Sequence, residues 1–492
     1  MRRLPFLIAG LLLAFAALAL LAWKAWRDDP PRWLGSPLKP PRAGGELVIL
    51  TLRGPTSTHA LNKAGGQTAQ TGFEHDLASL FAAELGALPR FRVMASHKSL
   101  IEALKAGRGH LAAAGLPVNE AQRADFAFGP HYRSIRYQLA WRMSEPRPKS
   151  LADITGKRIS VIAETPAHDL LRELTGEFPG IGIDALPHES EPDALLQRVA
   201  ERAADYALVD SVALAVSRRF HPEVAAAFSV GRESRVAWLF GPAADADLQA
   251  SARQFFRKIR DNGTLDRLVD RYYGHLSRLQ PIDSGTLIER INTTLPRLKA
   301  HFHEAQEVSG IDWRTLAAVG YQESHWDALA TSPTGVRGIM MLTEDTADRM
   351  GVKNRLDARE SILGGAKYLA LLRDLVPARV PEPDRTWFAL AAYNQGYGHL
   401  EDARILAQRQ KLNADSWLDV RKVYPKLADA EVAATLKHGL ARGEEAVQFV
   451  ENVRNYADMI TRLERPHDFE LAPERTLTGE SPQPGSRLRL GK

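Results

Sequence analysis

Two patterns of hydrophobic and polar positions alternate along the first half of the chain. Short apolar runs predict strands, and segments with apolar residues at helical spacing predict helices. The predicted strands cover residues 46–51, 91–94, 158–163, 206–209 and 236–240, and the predicted helices among them cover residues 73–85 and 99–106. Alternation of strand and helix is typical of an α/β domain, and we expect its sheets to be largely parallel.

The second half of the chain carries only the helical pattern. Apolar residues recur at helical spacing in one stripe that comprises Leu287, Ile291, Leu295, Leu298 and Phe302. A further helix is predicted from Asp312, and residues 366–375 and 387–392 continue the same spacing. An all-α domain is therefore expected to follow the α/β domain.

Three segments of different composition divide the chain. Residues 28–44 are rich in Pro, Arg and Gly, which predicts a stiff linker. A second break falls near residues 273–285, where Gly274, Pro281 and Gly285 interrupt a helical pattern. Residues 466–492 are rich in Pro, Gly, Ser and charge, which predicts a flexible tail. The two domains are therefore expected over residues 45–276 and 285–465.

An N-terminal segment, residues 1–27, predicts export of the rest of the chain. Arg2 and Arg3 precede an apolar run over residues 4–23, and roughly 20 such residues are enough to cross a bilayer as a helix. Residues 17–19, Ala-Leu-Ala, also fit a signal-peptide cleavage site. A cleaved signal peptide and an uncleaved membrane anchor both stay open.

Composition narrows the chemistry of the 492-residue chain. It has no cysteine, which excludes disulfides, thiolate metal sites, a cysteine nucleophile and a lipid-modified cysteine anchor. Its 64 basic and 59 acidic side chains give a net charge of +5, too even a balance to indicate nucleic acid. A mild positive excess suits an anionic polymer or a membrane surface. We expect neither a metal nor another cofactor.

Glu323 has an unusual position for a carboxylate. In the helix predicted from Asp312, it falls seven residues after Leu316 and so continues the apolar stripe. Burial there would raise the carboxyl pKa towards neutrality, which is the condition for a general acid in glycosidic bond cleavage. The alternative is a carboxylate at a helix end that reaches water or pairs with an arginine.

Four short motifs in order give Glu323 a context. They are Glu323-Ser324, the Gly-Ile-Met-Met-Leu segment 338–342, the Ala-Tyr-Asn-Gln-Gly segment 392–396 and the Val-Arg-Asn-Tyr segment 453–456. Their order and spacing resemble the soluble-lytic-transglycosylase-like domains. The resemblance implies a lysozyme-like fold and non-hydrolytic cleavage of the MurNAc–GlcNAc bond of peptidoglycan by a single glutamate.

The same resemblance implies the roles of individual residues. Glu323 would be the catalytic acid and base. The residues implied in substrate binding are Ser324, Gly338, Met340, Tyr393, Asn394 and Tyr456. The family usually has Gln where this chain has Met341, and a thioether cannot make the hydrogen bonds of an amide.

A hydrolase would need a second carboxylate across the scissile bond. Asp327, Glu344 and Asp345 are the acids that follow Glu323 closely enough to be considered. Glu344 and Asp345 are better explained as first-turn charges after an N-cap at Thr343, and Asp327 as a residue that ends the helix.

Four segments of the first domain resemble the family 3 extracellular solute-binding proteins. They cover residues 44–51, 72–77, 106–116 and 124–127. The resemblance implies two α/β lobes around a ligand cleft. Arg123 and Asp210 would then bind the carboxylate and ammonium groups of an amino acid. His110 replaces an Asp that is common in the family, so the identity of the ligand stays open.

The order of anchor, solute-binding domain and transglycosylase domain is similar to that of a family of membrane-bound lytic transglycosylases. It implies peptidoglycan strands, an amino acid or muropeptide, and a membrane as partners, and no nucleic acid. The location implied is the periplasmic face of the outer membrane, whereas an uncleaved helix would place the protein on the inner membrane. A peptidoglycan-binding receptor without turnover is the alternative function. We also hypothesise that a ligand of the first domain regulates the second.

Overall fold

The computed structural model describes residues 38, 41, 43–54, 57, 59–62, 68–118, 123–242, 244–276 and 281–467. The predicted signal or anchor segment, residues 1–27, lies outside these residues, as does the chain beyond residue 467. None of the helices that the structure describes is both long and apolar enough to cross a membrane. The chain forms two compact units that divide between Ile288 and Glu289, with the short segment 61–69 grouped with the second.

Twelve strands are described, and they lie before residue 241. They are β1 (Glu46–Leu52), β2 (His59–Asn62), β3 (Thr68–Thr71), β4 (Leu88–Met94), β5 (Leu111–Ala112), β6 (Ala127–Phe128), β7 (Arg133–Arg142), β8 (Arg158–Ile162), β9 (Gly182–Leu186), β10 (Tyr206–Asp210), β11 (Val224–Val236) and β12 (Leu239–Phe240). The accompanying α-helices are α1 (Phe73–Glu84), α2 (His97–Lys105), α3 (Pro166–Glu177), α4 (Pro192–Ala200), α5 (Ser211–Ser217), α6 (Ala246–Asp261) and α7 (Thr264–Val269).

Ten of these strands form two five-stranded sheets. The first sheet has the order β4-β1-β5-β12-β6, and the second has the order β11-β7-β10-β8-β9. In the first sheet β1 is parallel to β4 and β5, whereas β12 is antiparallel to both of its neighbours. In the second sheet β8 is parallel to β9 and β10, whereas β7 is antiparallel to β10 and β11. The prediction of largely parallel sheets was therefore wrong, and both sheets are mixed.

A buried carboxyl joins the segments that connect the two sheets. The chain passes from the first sheet to the second between β6 and β7, and returns between β11 and β12. Tyr132 and Trp238 lie on these two crossings, and both donate hydrogen bonds to the carboxyl of Glu74, at 2.6 and 3.1 Å. Burial raises the pKa of Glu74, because these donors replace only part of the lost hydration. The motif residue Glu74 thus has a structural position in the core.

Most elements predicted in the first unit are confirmed, with two corrections. The predicted strand 236–240 is split, because β11 ends at Val236 and β12 begins at Leu239. The second correction concerns Gly285, one of the residues expected to interrupt the helical pattern in the break near residues 273–285. Pro281 begins the helix α8 (Pro281–Thr293) and Gly285 lies inside it. A proline suits the first turn of a helix, where its missing N–H leaves no hydrogen bond unmade.

The second unit is helical, as predicted. Its α-helices are α9 (Leu295–Ser309), α10 (Trp313–Ser324), α11 (Glu344–Met350), α12 (Ala358–Leu375), α13 (Asp384–Gln395), α14 (Tyr397–Arg409), α15 (Trp417–Val423), α16 (Ala430–Ala433) and α17 (Gly443–Leu463). Helix α10 packs against α9 and α17, and α13 packs against α12 and α17. Helix α10, which carries Glu323 at its C-terminal end, is therefore packed between α9 and α17.

The segment after α17 corrects the predicted start of the flexible tail at residue 466. The ring of His467 stacks on that of His303 at a centroid distance of 4.0 Å. The side chain of Gln306 donates to the carbonyl of His467 at 2.9 Å. These contacts hold the first residues of the predicted tail against α9.

A glycine on α12 allows the close approach of a buried methionine. A Cβ atom on Gly365 would lie 2.6 to 2.7 Å from three side-chain atoms of Met340, which is fully buried. Real Cβ atoms do not approach other atoms so closely, so any side chain at position 365 would displace Met340. The segment that contains Met340 is therefore fixed in part by the absence of a side chain on α12.

We expect Gly365→Ala to lower the free energy of unfolding by about 1–3 kcal/mol through overpacking. The matched control is Gly176→Ala on the exposed side of α3, where a Cβ would meet no atom within 4 Å. That substitution should stabilise the protein by up to about 1 kcal/mol, because alanine favours the helix over glycine. Thermal denaturation of both variants checks the pair, and equal stability changes would contradict the packing described for Met340.

Candidate active site

Helix α10 places Glu323 in its last turn. The helix begins at the N-cap Asp312, whose side chain accepts a hydrogen bond from the backbone of Arg314 at 2.8 Å. The side chain of Glu323 is partly buried, and its carboxyl has no hydrogen-bond or ion-pair partner among the described residues. Burial raises its pKa to about 8. The carboxyl is therefore mostly protonated at neutral pH, which is the state that a general acid requires.

Ser324 connects the end of α10 to the segment 338–342. Its hydroxyl lies 3.2 Å from the carbonyl oxygen of Gly320 and 2.9 Å from that of Ile339. The first contact stays within the helix, whereas the second reaches the neighbouring motif. Ser324 therefore fixes the position of Glu323 relative to that motif.

The segment 338–342 is a tight turn whose conformation depends on Gly338. This glycine has a φ of +81°, and a Cβ there would lie 1.8 Å from the carbonyl oxygen of Arg355. The guanidinium of Arg355 donates to the carbonyls of Gly335 and Leu342, at 2.9 and 3.0 Å, and so spans the turn. Only glycine can adopt this left-handed backbone and also avoid a clash with the carbonyl of Arg355.

Met340 corrects one expectation from the sequence. Its side chain is fully buried between Gly320 and Gly365 and does not line a groove. Its backbone makes the useful contacts, because its N–H donates to the hydroxyl of Ser361 at 3.1 Å and its carbonyl accepts from the hydroxyl of Tyr393 at 2.7 Å. Met340 thus holds the turn between two helices.

Met341, at the usual position of a family glutamine, is partly exposed. Its φ is +47°, the left-handed region that costs a residue other than glycine on the order of 1 kcal/mol. The backbone at position 341 is therefore strained. Met341 lacks the amide of the usual glutamine, but it occupies this strained position in the turn.

Tyr393 and Asn394 follow each other on α13. The Tyr393 ring lies near the rings of Tyr368 and Phe449, at centroid distances of 5.4 and 6.3 Å. Burial and the neighbouring charge of Glu323 raise the pKa of Tyr393 well above its usual value, so Tyr393 remains a hydrogen-bond donor. Asn394 is partly exposed, and its side-chain oxygen accepts from Gln395 at 3.0 Å. The structure therefore brings Tyr393 into electrostatic range of Glu323.

Tyr456 on α17 packs against α10, in a cluster of aromatic rings. It is 4% exposed, and its ring meets that of Tyr321 edge to face at 4.9 Å. Tyr321 also contacts the rings of His325 and Trp326, at 4.8 and 5.0 Å. The indole of Trp326 donates to the carbonyl of Ala317 at 2.8 Å. Sequence reasoning missed Tyr321, Trp326 and Ser361, which support the site without belonging to its motifs.

The three acids considered for a second carboxylate have other positions. Thr343 is the N-cap of α11, as predicted, and accepts from the backbone of Thr346 at 3.1 Å. Glu344 and Asp345 occupy the exposed first turn of that helix. Asp327 is exposed and accepts from the backbone of Leu329 at 2.9 Å in the turn after α10. The three positions thus agree with the local roles predicted for these acids.

The first unit contains a cavity of about 160 Å³ lined by residues of both sheets. Asp210 ends β10 and lines this cavity, while one of its carboxylate oxygens accepts from the backbone of Val212 and Ala213 as the N-cap of α5. Arg123 does not line the cavity, which corrects the sequence prediction. It is exposed, and its guanidinium lies over the ring of Phe128 at 5.4 Å.

Arg53 is the arginine that lines the cavity, and sequence reasoning missed it. It directly follows β1, at the carboxyl end of a parallel strand, where ligands of α/β sheets usually bind. Its place after a predicted strand could therefore have indicated Arg53 from the sequence. His110, in contrast, is 1% exposed and accepts from the backbone of Val48 at 2.9 Å, so it supports β1 from within the core.

Two family models match separate parts of the chain. The model of the transglycosylase SLT domain matches residues 300–416. The model of bacterial extracellular solute-binding proteins, family 3, matches residues 57–275. Among solved structures, an ancestral arginine-binding protein bound to arginine shares 17% identity at a TM-score of 0.42, covering 47% of this chain and 100% of its own.

Curated relatives resemble nearly the whole chain. The membrane-bound lytic murein transglycosylase F of Nitrosospira multiformis is 45% identical over 424 residues, which are 86% of this chain and 87% of the relative. The protein of the same name from Methylobacillus flagellatus is 41% identical over 470 residues, covering 94% of this chain and 97% of its own. Both alignments include the site around Glu323 and the domain that precedes it, and the chain belongs to the membrane-bound lytic murein transglycosylase F family.

Proposed function

We propose that the second unit cleaves the β-1,4 bond between MurNAc and GlcNAc in peptidoglycan without water, giving 1,6-anhydromuramyl products. The observation that carries this proposal is the carboxyl of Glu323, which burial keeps protonated and which has no partner among the described residues. The match of residues 300–416 to the transglycosylase SLT domain supports it.

Glu323 serves as acid and then as base. As the acid it donates its proton to the glycosidic oxygen while the bond from that oxygen to C1 of MurNAc breaks, and the 4-hydroxyl of GlcNAc leaves. The carboxylate then accepts the proton of the C6 hydroxyl of MurNAc, whose oxygen bonds to C1. The anhydro ring closes, the carboxyl regains its proton, and one acid completes the cycle.

Among the described residues, no second carboxylate contributes to the pKa of Glu323, which supports a lyase over a hydrolase. Two-carboxylate glycosidases place their acids about 5–10 Å apart, and the second negative charge adds to the pKa of the first. Burial is the cause that raises the pKa of Glu323, with no contribution from another carboxylate among the described residues. A single protonated acid fits ring closure by the substrate's own hydroxyl.

The remaining site residues divide into two groups. Ser324, Tyr393 and Asn394 are partly exposed, and we assign them to holding the sugar ring and the acid. Glycan contacts through Gly338, Met340 and Tyr456 would be indirect. Gly338 and Met340 shape the turn, and Tyr456 supports α10 through Tyr321.

A peptidoglycan-binding receptor without turnover is the second candidate. Its binding surface would gain nothing from a buried carboxyl without a partner, because such a group costs stability once it ionises. An enzyme gains a proton donor from the same arrangement. The position of Glu323 therefore favours catalysis over binding alone.

The first unit is assigned a regulatory role. Arg53 and Asp210 line its cavity from different sheets, so a ligand with a carboxylate and an ammonium group would bridge the two. An amino acid or a muropeptide carries both groups. Such a ligand regulates the second unit only if it binds the active and inactive states with different affinity.

The periplasmic face of a membrane is the proposed location. The apolar run over residues 4–23 and the names of the relatives support attachment to a membrane. The family resemblance favours the outer membrane. A segment that exports the chain is required in either case, because peptidoglycan lies outside the cytoplasm.

Glu323→Gln should abolish release of 1,6-anhydromuramyl products from purified peptidoglycan, a loss of at least about 10³-fold in turnover. The amide has the size of the carboxyl but no acidic proton. The matched control is Glu344→Gln, the same substitution in the exposed first turn of α11. Mass spectrometry of the digests checks the pair. Reducing-end products from the wild type would indicate a hydrolase, and no products would indicate a receptor.

Glu323→Gln should also stabilise the protein in a pH-dependent way. The carboxyl pKa is about 8 in the folded protein and 4.5 in the ordinary state, so the folded state loses stability as pH rises between these values. The variant should match the wild type at pH 4.5 and exceed it by about 3 kcal/mol at pH 7. Denaturant unfolding at both pH values checks this, and a constant difference would contradict the raised pKa.

Regulation predicts that muropeptides change turnover of the full chain and that Asp210→Asn removes the change. Asparagine still caps α5, so the helix is retained while the charge is lost. Arg123→Gln serves as the control outside the cavity and should leave the response intact. Turnover is measured with purified anhydromuropeptides added in excess. If saturation with every muropeptide that binds leaves turnover of the wild type unchanged, the regulatory role is refuted.

A further inference from the structure

The turn that follows Glu323 has an unusual backbone. His325 and Trp326 adopt φ angles of 53° and 63°, so two successive residues other than glycine lie in the left-handed region. Such residues persist only where their surroundings hold them. Because the N–H of His325 donates to the carbonyl of Tyr321 at 2.8 Å, the conformation of the turn also determines the last turn of α10, which carries Glu323.

An arginine from another helix holds this turn. The guanidinium of Arg290, on α8, donates to the carbonyl of His325 at 2.5 Å. A charged donor makes a stronger bond to a carbonyl than a neutral one does. The carbonyl of a left-handed residue at a helix end points away from the helix axis, so it can accept a bond only from outside the helix.

We infer that Arg290 is a positioning residue for the reaction: its bond to the His325 carbonyl holds the left-handed turn and thereby keeps the Glu323 side chain in its partly buried position. The inference rests on the acid role proposed for Glu323. Arg290 touches neither the carboxyl nor the reacting atoms in this arrangement. It acts through the backbone, two residues after Glu323.

Loss of the hydrogen bond between Arg290 and His325 should change the pKa of Glu323, whereas loss of a contact that only stabilises the fold should not. If α10 loses its fixed C-terminal turn, the carboxyl can reach water, and its pKa falls towards the ordinary value. Among the described residues, the titratable or charged groups next to the carboxyl or the turn are Tyr393 on α13, Tyr321 on α10, Arg290 on α8 and His325 itself. Tyr393 stays protonated over the relevant range, because its own pKa is raised well above its usual value. The alkaline limit of activity therefore reports the environment of Glu323.

The experiment compares Arg290→Gln and Arg290→Lys with the wild type in the full chain, measuring kcat, KM and the pH at which turnover falls on the alkaline side. Loss of the bond should lower kcat about tenfold or more with little change in KM, since small displacements of a catalytic group have effects of this size. The alkaline limit should shift down by about one pH unit. Lysine keeps one charged donor and should restore part of both values.

The matched control is Arg297→Gln on α9, an exposed arginine whose guanidinium has no hydrogen-bond or ion-pair partner among the described residues, and it should behave as the wild type. A folded Arg290→Gln variant with an unchanged alkaline limit would overturn the inference, whatever its kcat or melting temperature. If Arg290→Gln does not fold, Arg290→Lys decides by the same measurement. Failure of the acid role itself would appear separately, as activity retained in Glu323→Gln.

Discussion

Burial of one unpaired carboxyl is the constraint on which the rest of the second unit depends. A carboxyl at the end of α10 stays protonated near neutral pH only while it is kept from water, and burial raises its pKa to about 8. The surrounding hydrogen bonds hold the elements that bury this carboxyl. Ser324 ties α10 to the turn 338–342, and Tyr393 and Ser361 bind the same turn from two other helices. The acid is thus held by neighbours that leave its own oxygens without a partner.

The sequence predicted those features of the site that follow from the spacing of residues along a helix. Glu323 continues an apolar stripe at helical period, and that pattern alone indicates a desolvated acid. Side-chain direction in a tight turn has no such periodicity, which is why Met340 was wrongly expected to line a groove. The prediction that Arg123 binds the ligand was wrong for a similar reason, because the position of a residue in a motif does not show which way its loop faces. Arg53 was available from the rule that ligands bind at the carboxyl ends of parallel strands.

The fold shows the same division between local and long-range information. Helix starts such as Asp312 and Thr343 were predictable, because N-capping is a local interaction. Strand direction was not, since it depends on which strands pair across the sheet. Strand β7 was not among the predicted strands, although Ile135, Tyr137 and Leu139 alternate with polar residues, and no local pattern identifies its antiparallel partner β11, about 90 residues later.

A protonated acid in a recess also determines which small molecules bind there. Sugar mimics that place an ammonium group near the anomeric carbon gain affinity from a carboxylate, but this carboxyl must first release its proton. With a pKa of about 8, that release costs about 1.4 kcal/mol at pH 7, or roughly tenfold in affinity. Uncharged mimics that present a hydrogen-bond acceptor to the carboxyl proton carry no such penalty. A neutral hydrogen-bond acceptor is therefore favoured over an ammonium group in ligands that contact Glu323.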